Sequence, residues 1–320
     1  MLVSIVIPAY NAEAFVERAI RSALAAGDRL RGNWEIIVVD NCSTDNTASA
    51  LARISTDFPT AVKVIRCDRP GAPAARNEGT RMSTGEWIQY LDADDTFHPD
   101  KIAGQVDMAG TAEWVVGGYR HLYTDGRTED SVPHPDLWKG LFHDFRTGCT
   151  HSNLVRRSAI QKIGGWREDI SSGQDTDLYF RLLRADVPTV IDERILSFYH
   201  HHDSATRITA GSSAEKFQLR LDLLTAASSH LQQTRSEYWK ANQAYFLGAI
   251  LRVIRQLATY DLNAATEAYH MHFTPYTPQQ LEIVGRYTRL YPYLGFRNVE
   301  RLRLALAGVI PEDLKRILKS

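Results

Sequence analysis

Apolar runs and helical stripes alternate through the first ninety residues. Leu2 to Ile7 is a near-continuous apolar run ended by Pro8, the pattern of a strand buried on both faces. Asn11 follows as a helix N-cap, and Phe15, Val16, Ala19, Ile20, Ala23 and Leu24 recur at helical spacing up to Gly27. Trp34 to Val39 is a second strand ending in Asp40. Ser43 or Thr44 then caps a short helix with Ala48, Leu51 and Ile54 inward. Val62 to Cys67 is a third strand, and the Gly71-Ala72-Pro73 turn opens a helix through Arg76 and Asn77. Glu86 to Leu91 is a fourth. This alternation predicts an α/β fold with a mostly parallel, doubly wound sheet flanked by helices.

Further on, a helix with Ile102 and Val106 inward precedes an alternating strand from Glu113 to Tyr123 and an Asp125-Gly126 turn. Pro133 to Asp144, rich in Pro, His and aromatics, reads as a loop over the site. Gln174 to Leu183 has helical spacing, with Asp175, Leu178 and Leu182 on one face. Asp177 lies about 200° round from Asp175, so only one of the two can face a site. Thr189 to Tyr199 is another strand. From Ala214 the period is helical throughout, in stripes such as Leu221 and Leu224, Phe246 to Leu257, Leu281 to Tyr287, and Leu302 to Leu306, punctuated by Pro275, Pro278, Pro292 and Pro311.

Composition narrows the picture. A net charge of −1 without a Lys/Arg run gives no argument for nucleic acid. Three scattered cysteines without Cys-x-x-Cys spacing suit a reducing compartment. No signal-peptide pattern and no apolar span of membrane length is present, so a cytoplasmic location is expected, with peripheral membrane attachment left open.

Candidate chemistry gathers after the strands. Asp92, Asp94 and Asp95 crowd into four positions behind an apolar strand, where open α/β sheets hold ligands. Such carboxylates call for a positive partner, and a hard divalent cation shared with substrate phosphates is the natural one. Taken alone they equally suit an acidic turn before a helix. Pro8 and Tyr10 place free backbone groups and an aromatic ring after the first strand. With Asp40 they form a candidate pyrimidine pocket, the ring stacking and the carboxylate accepting an imide N–H. Arg76, near the start of a helix opened by Pro73, suits a diphosphate.

Val3 to Asn11, Ile36 to Thr47, Ala74 to Gly79 and Leu91 to Asp95 together resemble the four successive signatures of the family-two glycosyltransferases. Ser152 to Ser158 and Ile163 to Trp166 extend the likeness, which covers roughly residues 1 to 208. The resemblance implies a GT-A fold and an inverting enzyme using Mn²⁺ or Mg²⁺ and a nucleotide-diphosphate sugar such as a UDP-sugar. The acceptor would be a glycan, a lipid-linked group or another hydroxyl. It assigns Asp175 as catalytic base, Asp92 to the ribose or a metal-bound water, and Asp94, with Asp95 and His201, to the metal, His202 being the fallback. Asn41 and Cys42 replace the second Asp and the Gly of the second signature, and Gln174 replaces a Glu before Asp175.

The expected organisation is a GT-A domain over 1–212, divided into a nucleotide-sugar half (1–97) and an acceptor half (98–212), followed by a helical region over 213–320. That region carries Arg252, Arg255, Arg286, Arg289, Arg297 and Arg301. They are a candidate acceptor surface, or simply the solvated side of helices through which the chain packs or oligomerises. The rival readings are a non-catalytic nucleotide-sugar or glycan-binding module, a sugar-nucleotide pyrophosphorylase, and an assembly subunit working through its helical tail.

Overall fold

Strand β1 (Leu2–Ala9) is the axis of the sheet, because Val3 to Ile7 is buried throughout and needs a neighbour on every side. The computed structural model describes residues 2–143, 146–202, 213–274 and 290–307. The chain divides into two units, Met1–Ala205 and Thr206–Ser320.

In the first unit β1 is joined by β2 (Asn33–Asp40), β3 (Val62–Arg66), β4 (Trp87–Tyr90), β5 (Thr96–Phe97), β6 (Trp114–Leu122), β7 (Thr128–Ser131), β8 (Leu154–Arg156) and β9 (Thr189–His200). Among the described residues they form one nine-stranded sheet in the order β3-β2-β1-β4-β8-β6-β9-β5, with β7 paired to β6. Strands β3, β2, β1 and β4 run parallel, and so do β6 and β9. β8 is antiparallel to both its neighbours, which makes the sheet mixed.

Helices cover the sheet: α1 (Val16–Gly27), α2 (Thr47–Asp57), α3 (Ala72–Met82), α4 (Lys101–Ala109), α5 (Leu137–Phe142), α6 (Arg157–Lys162) and α7 (Gln174–Arg184). Val16, Ala19, Ile20 and Ala23 of α1 share a core with Val3, Ile5, Ile7, Ile36 and Val38. Each fully buried branched side chain there contributes about 1.5–3 kcal/mol. α3 lies close against β1, where a Cβ on Gly79 would collide with Val6. Gly71, ahead of α3, has φ +113°, a conformation that glycine alone adopts without strain.

Several local expectations are corrected. Asn11 does not cap α1: it sits at φ +47°, and the helix begins at Val16. Neither Ser43 nor Thr44 caps α2, which starts at Thr47 with Asp45 accepting the Thr47 N–H at 3.0 Å. In both cases the local polar side chains bind each other across the two loops instead of the helix ends. The 133–144 segment contains α5, capped by Asp136, whose carboxylate accepts from Trp138 N and Lys139 N. Leu137, Trp138, Leu141 and Phe142 are buried, so this is packed structure with a short helical period that the flanking prolines and histidines masked.

The second unit contains α8 (Ala214–Thr234), α9 (Ser236–Leu257), α10 (Leu262–Phe273), α11 (Tyr291–Leu294) and α12 (Phe296–Ala307). Fully buried Glu300 accepts from Tyr291 Oη at 2.7 Å and pairs with Arg255 at 3.1 Å and Arg303 at 2.5 Å, so its charge is met from three sides. Arg252, Arg297 and Arg301 are exposed, whereas Arg286, Arg289 and the Leu281 to Tyr287 stripe lie outside the described residues. No helix among the described residues is long and apolar enough to cross a membrane.

Replacing Gly79 by Ala is expected to destabilise the chain by about 1–3 kcal/mol despite the better helix propensity of Ala, because the added methyl pushes α3 off β1. Urea unfolding of the two proteins measures it, and an equal or raised midpoint would refute the close contact.

Candidate active site

The C-terminal ends of β1, β2 and β4 lie side by side, with Ala9 in register with Asp40. Asn11 stitches two of the loops together: its Oδ1 accepts from Thr44 N at 2.8 Å, and its own N–H donates to Ser43 Oγ at 3.2 Å. That clasp leaves the Tyr10 ring 53 % exposed one residue beyond Ala9. Asp40 Oδ1 accepts from Ser43 N at 3.3 Å. Pro8, one residue before the end of β1, stands in register with Val39.

The acidic loop after β4 gives each carboxylate a different partner. Asp92 Oδ1 is 2.6 Å from Arg76 Nη2, and the Arg76 guanidinium lies 4.5 Å from the centre of the Trp166 ring. Arg76 is only 6 % exposed, so it stands as a buried clamp on Asp92 more than as an open arm. Asp94 Oδ2 is 2.7 Å from His202 Nε2, and its backbone carbonyl accepts from Arg18 at 2.7 Å. Phe15 stacks on His202 at 4.4 Å. Asp95 is buried. Its Oδ1 accepts from His200 N at 2.9 Å, and its Oδ2 lies 3.0 Å from His151 Nδ1.

His201 is placed elsewhere. Its Nε2 is 3.0 Å from His121 Nδ1, and its ring stacks on Tyr123 at 4.1 Å. Neighbouring side chains at the end of an extended strand point to opposite sides, which sends His202 to Asp94 and His201 to the aromatic group on β6. His151 and Arg18 had no sequence signal, each being a single residue whose relevance comes from a contact far away in the chain, whereas Trp166 lay in a stretch of family likeness without a role assigned to it.

Asp175 lies in the first turn of α7, behind Gly173 at φ +69°. Burial raises its carboxyl above the ordinary value, the N–H of Thr176 and the charge of Arg76 pull it down, and the charge of Asp92 pushes it up. Asp175 therefore shares an electrostatic neighbourhood with the Arg76–Asp92 pair. Asp177, on the other side of the helix, is buried against Arg181 at 2.7 Å and serves the fold.

Burial also pushes Asp95 up to about 6, against the opposing pull of His151. For His151 burial works to lower the pKa, but the charges of Cys149 and Asp95 hold it well above the ordinary value. The donor atoms of Asp92, Asp95 and His151 lie within 4.8 Å of one another, and the Asp94–His202 pair adds a further carboxylate and imidazole. Carboxylate oxygens with an imidazole nitrogen form a donor set that fits Mn²⁺ or a similar divalent cation.

Residues 4–164 match the family described as glycosyl transferase family 2. The chain is 31% identical over 227 residues to an uncharacterized glycosyltransferase, RC0461, of Rickettsia conorii; the match covers 65% of this chain but only 36% of that protein. It is 32% identical over 135 residues to a putative teichuronic acid biosynthesis glycosyltransferase, TuaG, of Bacillus subtilis, covering 42% of this chain and 52% of the relative. Among solved structures it is similar to S. aureus TarS residues 1–349 in complex with UDP-GlcNAc, with a TM-score of 0.59 and 14% identity over 92% of each chain. The mannosyltransferase PcManGT from Pyrobaculum calidifontis, in complex with GDP-Man and Mn²⁺, gives a TM-score of 0.54 at 18% identity, covering 96% of this chain and 86% of that one. The fold is thus GT-A-like, with C-terminal helices.

His151 binds its proton more tightly in the folded chain than at its unfolded value near 6.5, so its contribution to stability is complete below that value and is lost as pH rises through the higher folded value. The destabilisation caused by His151→Gln is therefore expected to shrink as pH is raised above 6.5, by at most about 1.4 kcal/mol per pH unit. Urea titrations of both proteins in a chelator check it, and a pH-independent difference would refute it.

Proposed function

The chain belongs to glycosyl transferase family 2, and from that premise we propose that it moves a sugar from a nucleotide-diphosphate donor, a UDP-sugar, to a hydroxyl on a glycan or lipid-linked acceptor, with inversion. The observation that carries this reading is the set of partners gathered on the acidic loop after β4, Arg76 on Asp92, His202 on Asp94 and His151 beside Asp95, with Asp175 of α7 close enough to feel the charges of Arg76 and Asp92.

In this reading Tyr10 stacks on the base and Asp40 accepts its imide N–H, the two being held at one level by the β1–β2 register. Asp92, oriented by Arg76, contacts the ribose or a metal-bound water. Asp94 and His202 hold the divalent cation, with Asp92 and Asp95 alongside. Bound there, Mn²⁺ or Mg²⁺ supplies charge neutralisation for the departing diphosphate. Asp175 takes the proton of the acceptor hydroxyl as that oxygen forms its bond to the anomeric carbon and the bond from that carbon to the diphosphate oxygen breaks. One displacement inverts the centre. The raised carboxyl suits the task, since a base works best with a pKa near the working pH. Co-structures of the fold relatives with UDP-GlcNAc and with GDP-Man and Mn²⁺ support the donor class.

A panel of nucleoside diphosphates with and without Mn²⁺ is expected to raise the melting temperature of the chain for UDP above the others, because a ligand that binds only the folded state stabilises it. No metal-dependent shift with any nucleotide would sink the reading. Asp175→Asn is expected to lower kcat about 10²–10⁴-fold while leaving that thermal shift intact. Undiminished turnover would remove Asp175 from the role.

A further inference from the structure

We infer that His151 is a positioning residue of the cation site: it grips Asp95, and through Asp95 it fixes the separation of Asp94 and His202. The inference rests on the proposed reading of Asp94 and His202 as cation-binding. His151 and Asp95 are each 1 % exposed, so their contact forms within the protein interior. Asp95 Oδ1 accepts the His200 N–H at 2.9 Å, and its Oδ2 lies at ion-pair distance, 3.0 Å, from His151 Nδ1 without a hydrogen bond to it. Asp95 directly follows Asp94, and His200 stands two residues before His202. A single buried carboxylate therefore ties the loop that carries Asp94 to the strand end that carries His202. His151, placed just ahead of β8, is the group that meets its second oxygen.

The donor atoms of Asp92, Asp95 and His151 also lie within 4.8 Å of one another, which fits His151 as a direct ligand. Two features favour the positioning role: the 3.0 Å approach of Nδ1 to Asp95 Oδ2, and the pairing of Asp94 with another imidazole. The imidazole that meets Asp94 belongs to His202.

The test is Mn²⁺ binding to the full chain, read by the free-ion electron paramagnetic resonance signal, with ¹⁴N coupling to the bound ion read by pulsed resonance. His151→Gln is expected to weaken Mn²⁺ binding about 10–100-fold, as loss of a group supporting metal ligands does, while the ¹⁴N coupling persists. His202→Ala is expected to remove that coupling. Unchanged affinity in folded His151→Gln overturns the inference. So does a coupling lost in His151→Gln and kept in His202→Ala, which would make His151 the ligand. Should His151→Gln fail to fold, His151→Asn carries the same test: weaker binding with the coupling retained supports the inference, and unchanged affinity overturns it. Absence of Mn²⁺ binding by the unaltered chain removes the cation reading and the inference together. Normal binding with indifferent variants removes the inference alone.

Discussion

Three carboxylates within four residues can be neighbours only if each is met by its own positive or hydrogen-bonding partner. Two like charges 4 Å apart cost about 4 kcal/mol at the effective dielectric of a protein surface. Here the partners are assigned one to one: Arg76 to Asp92, His202 to Asp94 and His151 to Asp95. They come from α3, from the chain just past β9 and from the segment ahead of β8. The sheet order makes this possible, because β4 lies between β1, on which α3 packs, and β8. This topology thus brings a partner to each carboxylate of the acidic loop. The same arrangement that neutralises it fixes the carboxylates in place just after β4.

The alternating apolar runs made the first four strands and three helices legible, since a parallel strand buried on both faces has a distinctive composition and a covering helix a distinctive stripe. The four ordered motifs made the family and the GT-A-like fold legible as well. Caps were misread because Asn11, Ser43 and Thr44 satisfy one another across two loops, a contact between residues some thirty positions apart. No local rule contains it. The antiparallel β8 was invisible for a related reason: Leu154–Arg156 is three residues long, too short to show a period. His151 could not be found either, because a buried histidine looks like any other until its carboxylate is known.

The departures from the family pattern have local physical consequences. Asn41 is buried, and its amide nitrogen donates to Cys67 O at 3.2 Å and Arg69 O at 2.6 Å, while its carbonyl accepts from Gly71 N at 2.8 Å. An Asp there could accept from Gly71 but would face two carbonyls with an anion. The amide therefore fixes the turn that opens α3, and so the helix that carries Arg76. Gln174 donates to Ile170 O at 3.4 Å and adds no charge beside Asp175.

Without a negative neighbour at position 174, the proton affinity of Asp175 is set by burial and four smaller influences. The Thr176 N–H and Arg76 lower it, Arg76 outweighs Asp92, and burial is the largest effect of all. A base raised by repelling carboxylates loses part of its shift as water screens their charges. A base raised by burial keeps it only while water stays out. In the proposed reaction an acceptor filling the space beside α7 does that work, since it displaces the solvent that would stabilise the charged carboxylate.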